Sequence, residues 1–424
     1  MRESDIQISR VDWSVVLIYF ALVIFGWFNI YAAVYDSQAP QSMFDMSINS
    51  GQQLVRIGIS VILIILIMVA DYRFFENLSL FIFLFFIALL VVTPFIGKEV
   101  NGQVLSIGFG SFRIQPGEFA KFATALALAK IMERPTFDLT KTKNQLIAFG
   151  VLFIPILLIL LQPDTGTAMV FFAFLLMFYR EGLPQWYFVL GFGIVALALL
   201  ALGIENNLYL VGAIVLIVAI LSLLGRKSVK KTLVLSLIGL GLIAFTYSLD
   251  YVVSKLPPHQ QNRIMVLFNP NIDPLGVGWN VTQSKIAIGS GGLFGKGYLE
   301  GTQTKFDFVP EQHTDFIFCT LGEEFGWMGS LIVIGLFTAL LYRLVIMAER
   351  QKTRFSRIYG YGVVSILLFH FMINIAMTIG LFPVVGIPLP FFSYGGSSLW
   401  SFTVLLFIFV KLDSSRVAQL GRLS

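Results

Sequence analysis

Residues that could carry out chemistry are concentrated between Asn269 and Phe318 in an otherwise apolar sequence. Asp273 stands among prolines and glycines, which favours turns that hold its carboxylate outside a helix. The polar groups that follow it are Gln283, Ser284, Lys285 and Lys296. Glycine runs around them let backbone N–H groups approach an anion closely, although a flexible connection is the simpler interpretation of the glycines alone. The stretch could therefore combine a carboxylate base with cations that bind an anionic group.

A second polar group lies in the segment QPGEFAK, residues 115–121. Pro116 suits the first turn of a helix, because the N–H that proline lacks would have no partner there. Glu118 and Lys121 would then lie at positions i and i+3 on one face, close enough to pair. Two interpretations stay open for the pair: it anchors the helix at the membrane interface, or it faces a wet cavity.

Other polar positions are compatible with either a structural or a functional role. Asp164, in the turn QPDTGT, could cap the following helix or belong to a charge network with a substrate. His313 has acidic neighbours in EQHTD but lacks the spaced ligands of a zinc site. Ser393 lies in the proline-rich segment 380–398, for which a packed loop is the first interpretation. His370 is expected to be a packing residue within a span, and no metal site is predicted.

The elements that must position these groups are membrane helices. Of the 424 residues 57% are hydrophobic, and the mean hydropathy is +0.84. Apolar runs of about 20 residues, the length that crosses the hydrocarbon core as a helix, recur along the chain. We predict an all-α polytopic membrane protein with about 12 spans: 13–34, 54–70, 74–96, 118–132, 146–162, 165–179, 186–203, 208–224, 232–247, 326–347, 358–381 and 399–410. The single cysteine, Cys319, excludes an internal disulfide.

The distribution of basic residues predicts the orientation in the membrane. The net charge of +5 comes mainly from short loops between spans, which indicates topology and not nucleic-acid binding. Placing these loops inside puts both termini in the cytoplasm and the loop 248–314 on the extracytoplasmic side. Most of the polar positions then fall at the outer ends of spans: Glu118, Lys121, Asp164, Asp273, His313 and Ser393. One outward-opening cavity for an anionic head group explains this asymmetry better than independent anchors.

The same segments carry a family resemblance that extends from about residue 100 to residue 400. The sequence resembles the SEDS family (shape, elongation, division and sporulation proteins) in QPGEFAK, QPDTGTA, DPLG-x-GWN, QSKIAIGSGGLFGKG, GTQ, FVPEQHTDFIF, GEEFG and PVVGIPLPFFSYGGSS. The glycine-rich segments are more similar to the elongation branch of the family than to the division branch. The pattern departs at Gly117, where the family usually has serine, and at Ser106, where it often has tryptophan.

The resemblance implies a single membrane domain over residues 1–424, in which a fold of about ten helices contains an inserted helix pair within 186–247. It implies a peptidoglycan glycosyltransferase of the bacterial cytoplasmic membrane that polymerises lipid II during cell elongation. The implied partners are lipid II with its polyprenyl chain, a class B penicillin-binding protein and other membrane proteins of the elongation machinery. The family's essential loop aspartate matches Asp273, and its other charged motif residues match Glu118, Lys121 and Asp164.

The chemistry that this implies can be assigned to residues as a hypothesis. Asp273 accepts the proton of the acceptor sugar's 4-hydroxyl while that oxygen attacks the anomeric carbon of the donor. Lys121, Lys285 and Lys296 would offset the charge on the pyrophosphate leaving group. A divalent cation, Mg²⁺ or Mn²⁺, could share that role, although no ligand set demands one. The alternatives are a lipid II flippase, which needs access from both faces, and a non-catalytic scaffold of the elongation machinery.

Overall fold

The computed structural model describes residues 11–416 apart from 37, 101–102, 110–111, 205, 225–228, 270–271, 274–275 and 307. Contacts divide the chain into two compact units, and the single membrane domain over residues 1–424 stays a prediction. One unit, called the main unit here, comprises the described residues up to Leu183 and from Asn280 onward. The other, called the insert unit, is Pro184–Trp279. The predicted extra helices between 186 and 247 lie in the insert unit.

The first part of the main unit is built from apolar helices. They are α1 (Trp13–Val34), α2 (Asn49–Val69), α3 (Tyr72–Ile96), α4 (Pro116–Met132), α5 (Thr142–Leu160), α6 (Thr165–Val170) and α7 (Phe174–Arg180). A 3₁₀ turn, Phe171–Ala173, joins α6 to α7. The span predicted at 165–179 is therefore helical throughout but tightens for one turn in the middle.

The insert unit is helical as well. Its helices are α8 (Trp186–Gly203), α9 (Leu208–Leu224), α10 (Val229–Lys255) and α11 (Pro258–Met265). α10 packs against both α8 and α9. These contacts agree with the apolar runs predicted in this region.

The chain returns to the main unit through α12 (Val277–Ser290), whose first residues belong to the insert unit. The remaining helices are α13 (Thr302–Lys305), α14 (Ile317–Glu324), α15 (Gly326–Glu349), α16 (Arg354–Thr378) and α17 (Gly396–Ser414). α12 begins four residues after Asp273 and carries Gln283, Ser284 and Lys285.

Helix α4 lies at the centre of the main unit. It packs against α3, α5, α16 and α17, and nearly all of its side chains are buried. Its sequence, PGEFAKFATALALAKIM, is rich in alanine, and small side chains allow neighbouring helix backbones to approach closely. The polar residues at the start of α4 are therefore enclosed by other helices.

The predicted fold class, a polytopic membrane protein, is confirmed. Within the described residues, nine helices are long and apolar enough to cross a membrane. The prediction of about 12 spans also counts α4, the α6–α7 segment and α9, which are shorter helices. Large apolar side chains on α3, such as Phe81, Leu84 and Phe85, are exposed, as expected for a surface that faces lipid.

A small antiparallel sheet precedes α4, and the apolar runs alone do not predict it. It consists, in this order, of β1 (Lys98–Val100), β2 (Gln103–Phe109) and β3 (Phe112–Ile114). Phe109 pairs with Phe112, so two residues connect β2 to β3. Residues 110 and 111, between these two strands, lie outside the described residues. Ser106 lies on β2, at the position where the family often has tryptophan.

Candidate functional site

Asp273 lies in the insert unit, in a turn directly before α12. Its Oδ2 atom accepts a hydrogen bond from the backbone N–H of Val277 at 3.0 Å, and the residue is half-buried. Gly276 lies against the carboxylate. A β-carbon at residue 276 would stand 2.5 Å from Oδ2 and 2.6 Å from Oδ1 of Asp273. The first turn of α12 therefore orients the carboxylate. Pro270 and Pro274, which the sequence analysis places around this turn, lie outside the described residues.

Glu118 and Lys121 form the ion pair predicted from their spacing. α4 begins at Pro116, and Nζ of Lys121 lies 2.9 Å from Oε2 of Glu118. The side chain of Glu118 is 5% exposed and that of Lys121 is 2% exposed. Oγ of Ser401 on α17 donates to the same Glu118 oxygen at 3.4 Å. The pair thus faces the protein interior and is not an exposed anchor at the end of the span.

Lys121 has a second partner in His370 of α16, which the sequence analysis assigns to packing. Nε2 of His370 lies 3.0 Å from Nζ of Lys121, and Nδ1 lies 3.1 Å from the carbonyl oxygen of Pro388. Nζ of Lys121 also lies 4.6 Å from the ring centroid of Phe402. His370 is buried, as expected, but both of its nitrogens make polar contacts.

Asp164 connects the starts of three helices. Its Oδ1 atom accepts from the backbone N–H of Thr167 at 3.0 Å, so it caps α6 as predicted. Its Oδ2 atom accepts from the side-chain amide of Gln115, next to α4, at 3.1 Å. The backbone N–H of Gln115 donates in turn to Oγ of Ser397 on α17 at 3.0 Å. A role of Asp164 toward a substrate stays a prediction.

His313 contacts the loop that precedes α17, and Ser393 is part of that loop. The backbone N–H of Tyr394 donates to the carbonyl oxygen of His313 at 2.9 Å, and their ring centroids are 5.4 Å apart. The guanidinium of Arg56 lies 4.1 Å from the Tyr394 ring centroid. Oγ of Ser393, which is buried, accepts from the backbone N–H of Leu389 at 2.9 Å. Ser393 therefore closes the loop internally, in line with the packed-loop interpretation.

His313 also borders a polar cleft with a volume of about 430 Å³. Its polar lining consists of Tyr35, Asp36, Gln38, Asn49, Thr304, Lys305 and His313. Asp36 and Lys305 are charged groups of this cleft that the sequence analysis missed, because neither stands in a motif. The volume lies within the range of about 300–1,000 Å³ that is typical of small-molecule sites.

The polar residues of α12 divide between the interior and the surface. Oγ of Ser284 donates to the carbonyl oxygen of Thr378 at 2.8 Å and fastens α12 to the end of α16. Gln283 is also buried, whereas Lys285 is exposed. Lys285 lies against Gly380, where a β-carbon would come within 2.7 Å of Nζ. Lys285 is thus the most exposed of the three lysines predicted to bind pyrophosphate.

Lys296 is engaged by a buried acid, Glu323 of α14. Its Nζ atom lies 2.7 Å from Oε1 of Glu323, which is fully buried. The same carboxylate accepts backbone N–H groups from Thr302 at 2.8 Å, Gln303 at 2.9 Å and Thr304 at 3.0 Å. Glu323 therefore holds α13 and the Lys296 turn together. Local sequence spacing does not predict this pair, since 27 residues separate the partners.

Glu324, which precedes the α15 span, is a buried acid of a different kind. Its Oε2 atom accepts from the backbone N–H of Leu299 at 3.1 Å, whereas Oε1 has no hydrogen-bond partner among the described residues. Burial raises the pKa of Glu324 to about 7, and the bond from Leu299 opposes that change. Glu324 therefore exchanges its proton near neutral pH.

The described residues contain no group of three or more His, Cys, Asp or Glu side chains that could hold a metal ion. Asp273 lies in the insert unit before α12. The polar groups of the main unit include the Glu118–Lys121–His370 cluster, the Lys296–Glu323 pair and the cleft beside His313. Their chemistry is that of carboxylates, ammonium groups and imidazoles near the ends of apolar helices.

Comparison with known proteins identifies relatives over almost the whole chain. A family model described as cell cycle protein, FtsW/RodA/SpoVE, matches residues 12–211 and 185–417. The chain is 33% identical to the "Peptidoglycan glycosyltransferase RodA" of Treponema pallidum (strain Nichols), over 97% of this chain and 99% of that protein. It is also 33% identical to the "Peptidoglycan glycosyltransferase MrdB" of Escherichia coli (strain K12), over 92% of this chain and 90% of that protein.

A solved structure has a similar fold. It belongs to a study described as "Structural coordination of polymerization and crosslinking by a peptidoglycan synthase complex". The TM-score is 0.70 at 25% sequence identity, and the match covers 96% of this chain and 98% of the other. The similarity therefore includes the motif regions from which the clusters above are built.

Proposed function

This chain belongs to the cell cycle protein family of FtsW, RodA and SpoVE, the family that its motifs predict, and we propose that it polymerises lipid II with Asp273 as the general base. The assignment as a peptidoglycan glycosyltransferase rests on the 33% identity to a relative of that name over 97% of the chain. The same identity to RodA and MrdB supports a place in cell elongation. The alignment with the Treponema pallidum relative covers 97% of this chain and 99% of that protein, so we assign the activity to the chain as a whole.

The general-base role of Asp273 is supported by the way its carboxylate is held. One oxygen accepts from Val277, and the half-buried position leaves the group accessible to a hydroxyl. In the proposed step Asp273 takes the proton of the acceptor's 4-hydroxyl while that oxygen bonds to the donor's anomeric carbon. The bond from that carbon to the pyrophosphate oxygen breaks with inversion, and the polyprenyl pyrophosphate leaves with the electron pair.

Stabilisation of the leaving group falls mainly to Lys285. A cation close to the pyrophosphate lowers the energy of the charge that develops there. Lys285 is exposed, whereas Lys121 is paired with Glu118 and Lys296 with Glu323. We assign direct contact with the pyrophosphate to Lys285 and a positioning role to Lys121 and Lys296. Gln283, Ser284 and Asp164 would hold the elements that carry these groups, while His313 would contact the head group from its cleft.

A divalent cation, Mg²⁺ or Mn²⁺, is a further proposal. The described residues provide no cluster of three or more acidic, histidine or cysteine side chains for a resident ion. Such an ion would therefore be held largely by the pyrophosphate of lipid II, as in sites where Mg²⁺ enters with a substrate phosphate. Its role would be to neutralise charge on the leaving group.

The proposed setting is the bacterial cytoplasmic membrane, with both termini in the cytoplasm and the loop 248–314 outside. Short basic loops support this orientation. A class B penicillin-binding protein is the proposed partner. The similarity to a chain from a complex that coordinates polymerisation with crosslinking supports that partner. Other membrane proteins of the elongation machinery would join the same assembly.

The decisive experiment is lipid II polymerisation by the purified protein, with and without a class B penicillin-binding protein. Asp273→Asn should insert normally and make no glycan, while Asp138→Asn, the same change at a half-buried aspartate in the loop before α5, should leave polymerisation intact. Glycan made by Asp273→Asn would remove Asp273 from the chemistry. A wild-type protein that moved lipid II across vesicles without making glycan would be a flippase, and full function of Asp273→Asn in cells would favour a scaffold.

A further inference from the structure

His370 is placed so that its protonation pattern can be assigned. It lies in the middle of α16 and is fully buried, with Nδ1 3.1 Å from the carbonyl oxygen of Pro388. A carbonyl oxygen can only accept, so Nδ1 must carry the hydrogen. In the neutral ring Nε2 then has a free lone pair, and it accepts from the Lys121 ammonium 3.0 Å away. This contact assigns one tautomer to the ring.

The ammonium of Lys121 is consequently held from two helices. Glu118, one turn earlier on α4, binds it at 2.9 Å, and His370 binds it from α16. The imidazole of His370 in turn packs edge-on against Phe402 of α17, with centroids 4.7 Å apart. Glu118 lies on the same helix as Lys121, and its own link to another helix is the 3.4 Å bond from Ser401 of α17. The bond to His370 fixes Nζ relative to a second helix.

The other end of the imidazole reaches the loop between α16 and α17. The carbonyl oxygen of Pro388 accepts from Nδ1 of His370. The backbone N–H of the following residue, Leu389, donates to Oγ of Ser393. The next residue, Tyr394, donates to the carbonyl oxygen of His313 beside the polar cleft. A chain of hydrogen bonds and short loop segments therefore leads from Lys121 through His370 to His313, a residue that lines the polar cleft.

We propose that His370 is a positioning residue of the polymerase, which holds the Lys121 ammonium at a fixed distance from the loop between α16 and α17. The proposal rests on the proposed function, because Lys121 is one of the residues to which that function assigns a positioning role. His370 acts through Lys121 and does not touch the reacting atoms. A displaced Lys121 would shift the groups that it positions, and misplacement of a catalytic group by about 1 Å can cost about 100-fold in rate.

Variants that copy one nitrogen of the imidazole at a time test the proposal. Glutamine places its amide oxygen near the position of Nε2 and can accept from Lys121, whereas asparagine copies Nδ1 and cannot reach Lys121. Methionine fills the space without either bond. We expect kcat of polymerisation to fall about tenfold or more in His370→Asn and His370→Met, and to be rescued toward wild type in His370→Gln. KM for lipid II should change less than kcat.

A double variant of His370 and Lys121 distinguishes a positioning role of His370 from a role in packing alone. In a Lys121→Met background, His370→Met should cause no further loss, because the group that it positions is already gone. Equal activity of His370→Met and wild type, or losses that simply add in the double variant, would overturn the proposal. Thermal unfolding of each variant in the same detergent shows whether any loss reflects the amount of folded protein.

A spectroscopic readout keeps the proposal testable without catalysis. Protein labelled with ¹⁵N-histidine contains three histidines, and loss of signal in His370→Gln assigns the resonances of residue 370. We expect a neutral ring with hydrogen on Nδ1, and a shift of the Nε2 resonance in Lys121→Met. A ring with hydrogen on Nε2 would overturn the proposal. If the wild type made no glycan, the proposed function would fail, and this spectrum would still decide the His370–Lys121 contact.

Discussion

Gly276 and Asp273 occupy adjoining space at the start of α12. Both carboxylate oxygens of Asp273 lie within 2.6 Å of the point where a β-carbon of residue 276 would stand. The absence of a side chain at Gly276 is therefore what allows the carboxylate to lie over the first turn of the helix. This contact connects the glycine of the DPLG segment to the proposed base.

Gly276→Ala should displace the Asp273 carboxylate without unfolding the protein. The clashing atoms are at the end of a side chain that can rotate away, so the backbone need not move. We expect polymerisation of lipid II to fall by about 10- to 100-fold, since a base must stay within hydrogen-bond reach of its proton. Gly289→Ala is the matched control, because a β-carbon on Gly289 of the same helix meets nothing within 4 Å. Equal activity of the two variants would contradict the prediction.

Lys285→Met should lower polymerisation more than any comparable change at an exposed lysine. Loss of a cation at the leaving group removes stabilisation that is made in the transition state, and we expect kcat to fall about 100-fold. Lys285→Arg should retain part of the activity because it keeps the charge. Lys143→Met, at an exposed position at the start of α5, provides the control. Similar small effects of Lys285→Met and Lys143→Met would argue that Lys285 only contacts lipid or water.

The Lys296–Glu323 pair should behave as a structural unit. Glu323→Gln weakens a carboxylate that binds Lys296 and three backbone N–H groups, so we expect a loss of about 3 kcal/mol in unfolding free energy. Lys296→Met should cost less, because its side chain is 25% exposed and the backbone donors keep their acceptor. Limited proteolysis of the segment 291–316 and the melting temperature measure both effects. Loss of polymerisation in Lys296→Met at unchanged stability would instead favour direct substrate binding by Lys296.

Glu324 should make stability depend on pH near neutrality. Its pKa is raised by burial from 4.5 to about 7 in the folded protein, so the folded state holds the proton more tightly than the unfolded state. The contribution is fully present below about pH 4.5 and is lost as pH rises through about 7, by about 3 kcal/mol in all. Glu324→Gln, which stays neutral, should unfold at a higher temperature than wild type at pH 8 and show a flatter pH dependence.

The control for this pH experiment is Glu300→Gln, at an exposed position of the same loop region. It should follow the wild-type melting curve across the pH range. A wild type whose melting temperature does not fall between pH 5 and pH 8 relative to Glu324→Gln would contradict the buried, protonated state of Glu324.

The sequence by itself determined the local features of this protein. The apolar runs predicted helices at all of the segments assigned as spans, since the length and apolarity of a helix that crosses lipid are set by its own residues. Pro116 and the i, i+3 spacing predicted the Glu118–Lys121 pair, and the position of Asp164 predicted its capping bond to Thr167. The motifs also predicted the family and its enzyme class, which the comparisons confirm.

Only the tertiary structure decided which distant side chains meet. Lys121 and His370 are 249 residues apart, and their contact depends on the packing of α4 against α16. The glycine-rich segment around Lys296, considered alone, favours a role in anion binding. In the folded protein Lys296 pairs with Glu323 of α14 instead. Apolar patterns place helices in a membrane without specifying neighbours, because lipid and helix surfaces are equally apolar. Close packing and buried polar pairs then select the neighbours, and they also decide that Lys285 stays exposed while Lys121 and Lys296 are engaged.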